Sequence, residues 1–250
     1  MYPNEILFGM SLYEILIVVG LFAGMLLFRR YSTEIGLSAK MHNLVIASAV
    51  ITVIGGYLSG YLFQAVYDWI GGKPFRLGTE TGSTFLGGFI GGFLILILSY
   101  FGIGHFLFPD REHIRRFPDA LNGFAPCLAL GHGFGRLGCL MAGCCYGKPA
   151  GWGIYFETCH CRAIPTQLFE ALFLFALCPV LYRLAKKKLA VAGYFIGYGV
   201  WRFLIEFLRG DDRGKTVVDF LSPSQLVSVL LVIAGAILLL IQLKKKEKTA

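Results

Sequence analysis

The sequence predicts an all-α integral membrane protein with seven transmembrane helices, its N-terminus outside and its C-terminus in the cytoplasm. Three observations point there. Of 250 residues, 56% are hydrophobic and only 15% are charged, which leaves too little polar sequence to cover a soluble surface. Several apolar runs approach or exceed the roughly 18 residues that mark a membrane-crossing helix. The basic residues behind the net charge of +8 stand at the ends of those runs, which is a topology signal rather than a nucleic-acid footprint.

The first span, about Gly9–Phe28, is stopped by Arg29 and Arg30. It lacks a basic leader and a small-x-small cleavage site, so it reads as a retained helix, and neither end carries a lipidation motif. The second, about Asn43–Ile70, is interrupted by Gly55, Gly56 and Gly60. The third, about Gly82–Phe108, carries Gly87, Gly88, Gly91 and Gly92 on close helical spacing, which favours tight packing against a neighbour. The fourth covers about Ala120–Met141. Pro165 is a good first-turn residue for the fifth, which runs to Tyr182. The sixth spans about Ala192–Leu208, and the seventh, about Leu221–Leu243, is closed by Lys244, Lys245 and Lys246.

Fourteen Lys and Arg fall in one set of alternate loops and seven in the other. That excess fixes the orientation and puts the Cys-rich segment from Ala142 to Ile164 outside. With no repeat and no loop long enough for a soluble domain, residues 1–250 read as a single membrane domain.

Most of the chemistry gathers in GHGFGRLGCLMAGCCYGKP, from Gly131 to Pro149. It sets Arg136 among glycines at a depth where a charge is expensive and marks a functional site by default. On the sixth span Arg202 and Glu206 are four residues apart, so they share a helix face and can pair. Glu14, Glu170 and Glu206 are available to match the two arginines around a polar cavity facing the outer leaflet. Arginine suits phosphate because its fork bonds two oxygens while staying charged. A phospholipid headgroup is the phosphate that a membrane protein meets most often.

Of the seven cysteines, Cys127 and Cys178 read as small buried apolar residues. Cys139, Cys144, Cys145, Cys159, His160 and Cys161 admit three readings. One is a disulfide pinning the outer loop to the fourth helix, which an outside location permits. Another is a metal site of thiolates with His160. The third is a thiol acting as nucleophile or redox centre, for which Cys139, one turn from Arg136, is best placed.

GRLGCLMAGCCYGKP resembles the signature of the prolipoprotein diacylglyceryl transferase family, Gly-Arg-x-Gly-Asn-x-x-x-Gly-Glu-x-x-Gly. PTQLFEAL (Pro165–Leu172) resembles the family's His-Pro-x-Gln-Leu-Tyr-Glu segment. GYGVWRFLIEFLRGDD (Gly197–Asp212) resembles its sixth-span motif, SPSQLVSVLLVIAGA (Ser222–Ala236) its last helix, and STFLGGFIGG (Ser83–Gly92) its Ser-Phe-His-Gly-Gly region. The resemblance implies a transferase that moves the diacylglyceryl group of phosphatidylglycerol onto the lipobox cysteine of a secreted precursor, with glycerol phosphate leaving. It implies a multi-pass protein of the bacterial plasma (inner) membrane, with no nucleic-acid partner.

Residue by residue, the resemblance makes Arg136 and Arg202 the phosphate-binding arginines. Glu206 would orient Arg202, and Tyr13 stands near the family's N-terminal functional tyrosine. Gly143, Gly147, Gly87, Gly88, Gln167 and Glu170 fall on the substrate side. The pattern departs where the family's His is Leu86, its signature Asn is Cys139, its signature Glu is Cys144, and the His and Tyr of the Pro-x-Gln segment are Ile164 and Phe169. Those departures keep two other readings open. One is a headgroup transferase with a different acceptor or its own Cys as nucleophile, Cys139 foremost. The other is a non-catalytic membrane redox or metal-binding protein. No cofactor is expected beyond a thiolate-bound metal.

Overall fold

The computed structural model describes residues 5–7, 9–78, 82, 84–210 and 221–247. Two strands, β1 (Glu5–Leu7) and β2 (Met10–Ser11), pair antiparallel and lead into α1 (Leu12–Glu34). There follow α2 (Ala39–Ile70), α3 (Phe85–Leu107) and α4 (Glu112–Ala142). A second hairpin, β3 (Pro149–Phe156) with β4 (Cys161–Ala163), separates α4 from α5 (Thr166–Ala185). Then come α6 (Ala190–Ile205), a short 3-10 turn at Glu206–Leu208, and α7 (Pro223–Glu247).

Among the described residues there are seven helices, and six of them are long and apolar enough to cross a membrane. The exception is α4, which has the length, at 31 residues, but carries too many polar groups. Those polar groups build the site. The two small hairpins are additions to the expected all-α architecture. Side chains such as Phe22, Leu98, Leu230 and Ile241 stay largely exposed, a distribution that suits contact with lipid.

The chain divides into two compact units, one of residues 1–35 with 118–250 and one of residues 36–117. In the second unit, α2 and α3 meet through small residues. A Cβ on Gly56 would fall 3.2 Å from the carbonyl oxygen of Gly88 and 3.3 Å from the Cα of Gly92. Gly87 is covered by the Phe63 ring and Gly91 by the Ser59 side chain. Backbone meets backbone here, which is how helices attract one another where lipid removes the hydrophobic drive. Gly87 and Gly88, expected on the substrate side, are packing residues of this helix pair.

In the first unit, α1 starts on a capping box. Ser11 N–H donates to Glu14 Oε2 at 2.7 Å, and the Ser11 side chain accepts from Glu14 N–H. Glu14 is therefore consumed by its own helix start and balances neither arginine. Further along, α1 crosses α4 where Gly20 meets Gly131, with 3.3 Å between the position of a Gly20 Cβ and the Gly131 Cα. Tyr31, buried, donates to the carbonyl of Asp119 at 3.1 Å, its ring lying in the space that Gly123 leaves free.

Pro118 and Pro126 lie inside α4 and remove backbone donors. Asn122 lies between them. Its amide donates to the Pro118 carbonyl at 2.8 Å, and its Oδ1 accepts from Ala190 N–H at 2.8 Å, which fastens the start of α6 to α4.

The α2–α3 contact makes a direct prediction. Gly56→Leu, which must push backbone aside, lowers stability by about 1–3 kcal/mol, read as a fall in the thermal midpoint of the detergent-solubilised chain. Gly102→Ala, with no neighbour within 4 Å, leaves that midpoint unchanged or slightly raised.

Candidate functional site

The site lies in the first unit, where α4, α5 and α6 turn polar stripes towards one another. On α4 the stripe is His132 and Arg136, four residues apart, with Cys139 one turn further on. On α6 and the 3-10 turn that continues it, the stripe is Tyr194, Tyr198, Arg202 and Glu206, each four residues after the last, so they project from one side of an otherwise apolar segment. Between them stands Glu170 of α5, wholly buried.

Glu170 is the hub. Its Oε2 lies 3.0 Å from Arg136 Nε, and its Oε1 accepts from the Tyr198 hydroxyl at 2.9 Å. His132 comes within 3.9 Å of the same carboxylate, with its Nδ1 3.5 Å from the Tyr194 hydroxyl. The Tyr194 and Tyr198 rings stack at 5.5 Å, and the Tyr198 ring meets His132 edge-on at 5.0 Å. Wholly buried, Glu170 meets Arg136 as an ion pair through Oε2 and accepts a hydrogen bond from Tyr198 through Oε1, and so positions Arg136.

Arg202 is held from two sides. Its Nη2 lies 2.7 Å from Glu206 Oε2 and donates to Ser224 Oγ at 3.0 Å. Glu206 in turn accepts from Ser222 Oγ at 2.9 Å. Ser222 and Gln225 form a reciprocal cap on α7, with Ser222 N–H on Gln225 Oε1 at 3.0 Å and Gln225 N–H on Ser222 Oγ at 3.2 Å. Ser-x-x-Gln is a helix-start signal, and here it also sets the hydroxyls that fix the arginine pair. Arg202 Nη1 is buried with no hydrogen-bond partner among the described residues. A buried cationic donor left open marks where an anionic oxygen can bind.

The end of α4 explains the glycine and the thiols that follow it. Gly143 has φ of 73°, its N–H donates to Leu140 O at 3.2 Å, and Cys144 N–H donates to Cys139 O at 3.1 Å. This is a Schellman turn, which needs a left-handed residue best supplied by glycine. It folds Cys144 and Cys145 back over Cys139, so the three sulfur atoms lie within 4.8 Å of one another. Gln167 donates to the Cys144 carbonyl and Thr166 Oγ1 to the Cys145 carbonyl, the latter at 3.0 Å. Gln167, like Glu170, is buried and supports the framework. Hydrogen bonds from the Cys139 and Cys144 thiols and the Arg209 guanidinium, outweighing burial, hold the Cys145 thiol below its ordinary pKa.

The six Cys and His positions separate into two groups. Cys159 and Cys161 join in a disulfide that stays inside the β3–β4 turn, so the expected bond between loop and fourth helix does not form. The loop is instead held to α4 by Phe156 and Ala163 packed on Leu140, and by Thr158 donating to the Gly143 carbonyl. His160, exposed at the turn and 3.9 Å from Glu157, stands apart from the three clustered thiols.

Gly147 is buried against Leu208, Thr166 and Ile164, and its N–H donates to Ile164 O at 2.8 Å. It packs the hairpin against α5 and the end of α6. Tyr13, 37% exposed in the first turn of α1, lays its ring against Gly138, whose missing Cβ would lie 2.9 Å from it. There it neighbours Cys139, Cys144, Cys145 and Arg136. Leu86 lies in the first turn of α3, and its side chain, like Ser83 and residues 211–220 with Arg213 and Lys215, falls outside the described residues.

Comparison with known proteins points to one family. The model of the prolipoprotein diacylglyceryl transferase family matches residues 5–241. A phosphatidylglycerol–prolipoprotein diacylglyceryl transferase 2 of Clostridium perfringens is 32% identical over 262 residues, covering 97% of this chain and 96% of that protein. The Clostridium tetani enzyme is 32% identical over 247 residues, covering 92% of each. That of Methylococcus capsulatus is 30% identical over 245 residues, covering 91% of this chain and 88% of its own.

The Arg136–Glu170 pair tests the electrostatic reading. Glu170→Leu strands a buried guanidinium and costs about 3–5 kcal/mol, whereas the double change Arg136→Met with Glu170→Leu restores most of the loss. Thermal midpoints in detergent measure both. Arg30→Ala, which breaks the exposed pair with Glu34, leaves the midpoint within error.

Proposed function

The chain belongs to the prolipoprotein diacylglyceryl transferase family, and we propose that it moves the diacylglyceryl group of phosphatidylglycerol onto a cysteine thiol of a secreted lipoprotein precursor. It is a transferase and a multi-pass helical membrane protein. The reading takes α4 as a seventh span, the N-terminus as outside, the bacterial plasma membrane as the location, and the chain as one membrane domain. The acceptor is the lipobox cysteine of the precursor.

In this reaction the acceptor thiol attacks the glyceryl carbon that carries the phosphate ester. A carbon–sulfur bond forms, the carbon–oxygen bond to phosphate breaks, and the thiol proton goes to solvent. Glycerol phosphate departs with the electron pair. Negative charge therefore grows on the leaving phosphate, and fixed positive groups in a water-poor site supply the largest stabilisation.

The single observation that carries this reading is the open donor on Arg202. The guanidinium is fixed in place by Glu206 and Ser224 through Nη2, yet presents a buried Nη1 with no hydrogen-bond partner among the described residues. Arg136, oriented by Glu170, supplies the second positive group. Both arginines are locked before the substrate arrives, so little reorganisation is needed as charge develops. Tyr13 and Gly143, beside the thiols at the outer end of α4, stand where the acceptor would approach.

Expression in a strain depleted of its own diacylglyceryl transferase tests the reading. A lipoprotein precursor gains the mass of one diacylglyceryl group when the wild-type chain is present. Arg136→Ala and Arg202→Ala each reduce that conversion at least about 100-fold, with the variants verified as membrane-inserted. Glu206→Gln reduces it about tenfold, because Arg202 loses a charged partner but keeps a hydrogen bond. Full conversion by Arg202→Ala overturns the assignment.

A further inference from the structure

We propose that Cys139, Cys144 and Cys145 bind one soft, thiophilic cation, Zn2+ being the ion that fits best, on the outer end of α4. The inference goes beyond the transferase reading and does not depend on it. Three thiols lie within 4.8 Å of one another, brought there by a turn whose backbone is closed by two hydrogen bonds. Bonds of about 2.3 Å from a tetrahedral zinc to sulfur place the sulfurs about 3.8 Å apart. The cluster therefore needs to contract by about 1 Å at most, which side-chain rotation supplies without unwinding the turn.

The surroundings suit a metal ligand set. Gln167 and Thr166 hold the carbonyls of Cys144 and Cys145 from α5, so the backbone that carries two of the thiols is anchored from outside its own loop. Three thiolates around Zn2+ leave about one net negative charge. The Arg209 guanidinium beside Cys145 and Arg136 near Cys139 offset it. Thiolates select zinc or copper(I) over hard cations, and zinc binding needs no electron donor. Three S–H protons are released to solvent as three Zn–S bonds form. Cys144 is exposed, which gives an ion a way in and leaves a fourth position open to water.

The remaining cysteines serve as internal controls. Cys159 and Cys161 are bonded to each other, and Cys127 and Cys178 are buried in helices. The test uses the full chain, purified in detergent without a polyhistidine tag after growth with added zinc. Elemental analysis is expected to find about one zinc per chain, and replacement by Co2+ to give near-ultraviolet thiolate-to-cobalt absorption. Cys139→Ser, Cys144→Ser and Cys145→Ser each weaken zinc binding by at least roughly tenfold, while Cys127→Ser and Cys178→Ser leave it unchanged. Should a serine variant misfold, alkylation of the wild type followed by mass spectrometry decides, because zinc must protect these three thiols together. A chain that takes up neither ion, or whose zinc persists in all three variants, overturns the site. So does a disulfide between any two of the three sulfurs in freshly purified protein.

Discussion

A guanidinium enclosed by apolar helices is tolerated only when a carboxylate and further hydrogen bonds meet it there, and two such groups shape this protein. Arg136 reaches across to Glu170 on α5, while Arg202 pairs along its own helix with Glu206. The requirement spreads outward. Glu170 needs Tyr198 for its other oxygen, and Glu206 needs Ser222. The start of α7 is thus committed to the pair on α6. Replacing a buried ion pair by well-packed apolar side chains is often neutral for stability or favourable to it.

Packing at the other end of α4 follows from backbone rather than charge. A left-handed glycine ends the helix and reverses the chain, and the hairpin then returns over Leu140 to feed α5 through Thr166 and Gln167. The polar residues of the PTQLFEAL segment tie neighbouring elements together: Gln167 holds a carbonyl of the Cys-rich turn, and Glu170 holds an arginine. The same turn crowds three thiols that the sequence spreads over seven positions.

Apolar length, basic flanks and glycine spacing decide most of the architecture, because a membrane-crossing segment must satisfy its backbone within itself and advertises this as an unbroken apolar run. The spans, the i,i+4 pairing of Arg202 with Glu206, and the prominence of Arg136 are all legible without coordinates. So is the stripe of Tyr194 and Tyr198 in line with Arg202, although neither tyrosine belongs to a motif that draws attention to it. The Ser-x-x-Gln start of α7 is another local signal, readable as a cap but silent about which arginine it serves.

Other assignments needed the fold. Three glutamates were available for two arginines, and only tertiary placement shows Glu14 capping its own helix while Glu170, 34 positions after Arg136, reaches it from another. Cysteine spacing left disulfide, metal and nucleophile open, since bond formation depends on Cα separation and side-chain direction that sequence does not carry. The structure joins Cys159 to Cys161 and gathers Cys139, Cys144 and Cys145. Sequence by itself determined what is periodic along one helix. The partners drawn from different helices were decided by tertiary structure alone, because pairing across a bundle depends on which faces meet and how closely glycine lets them approach.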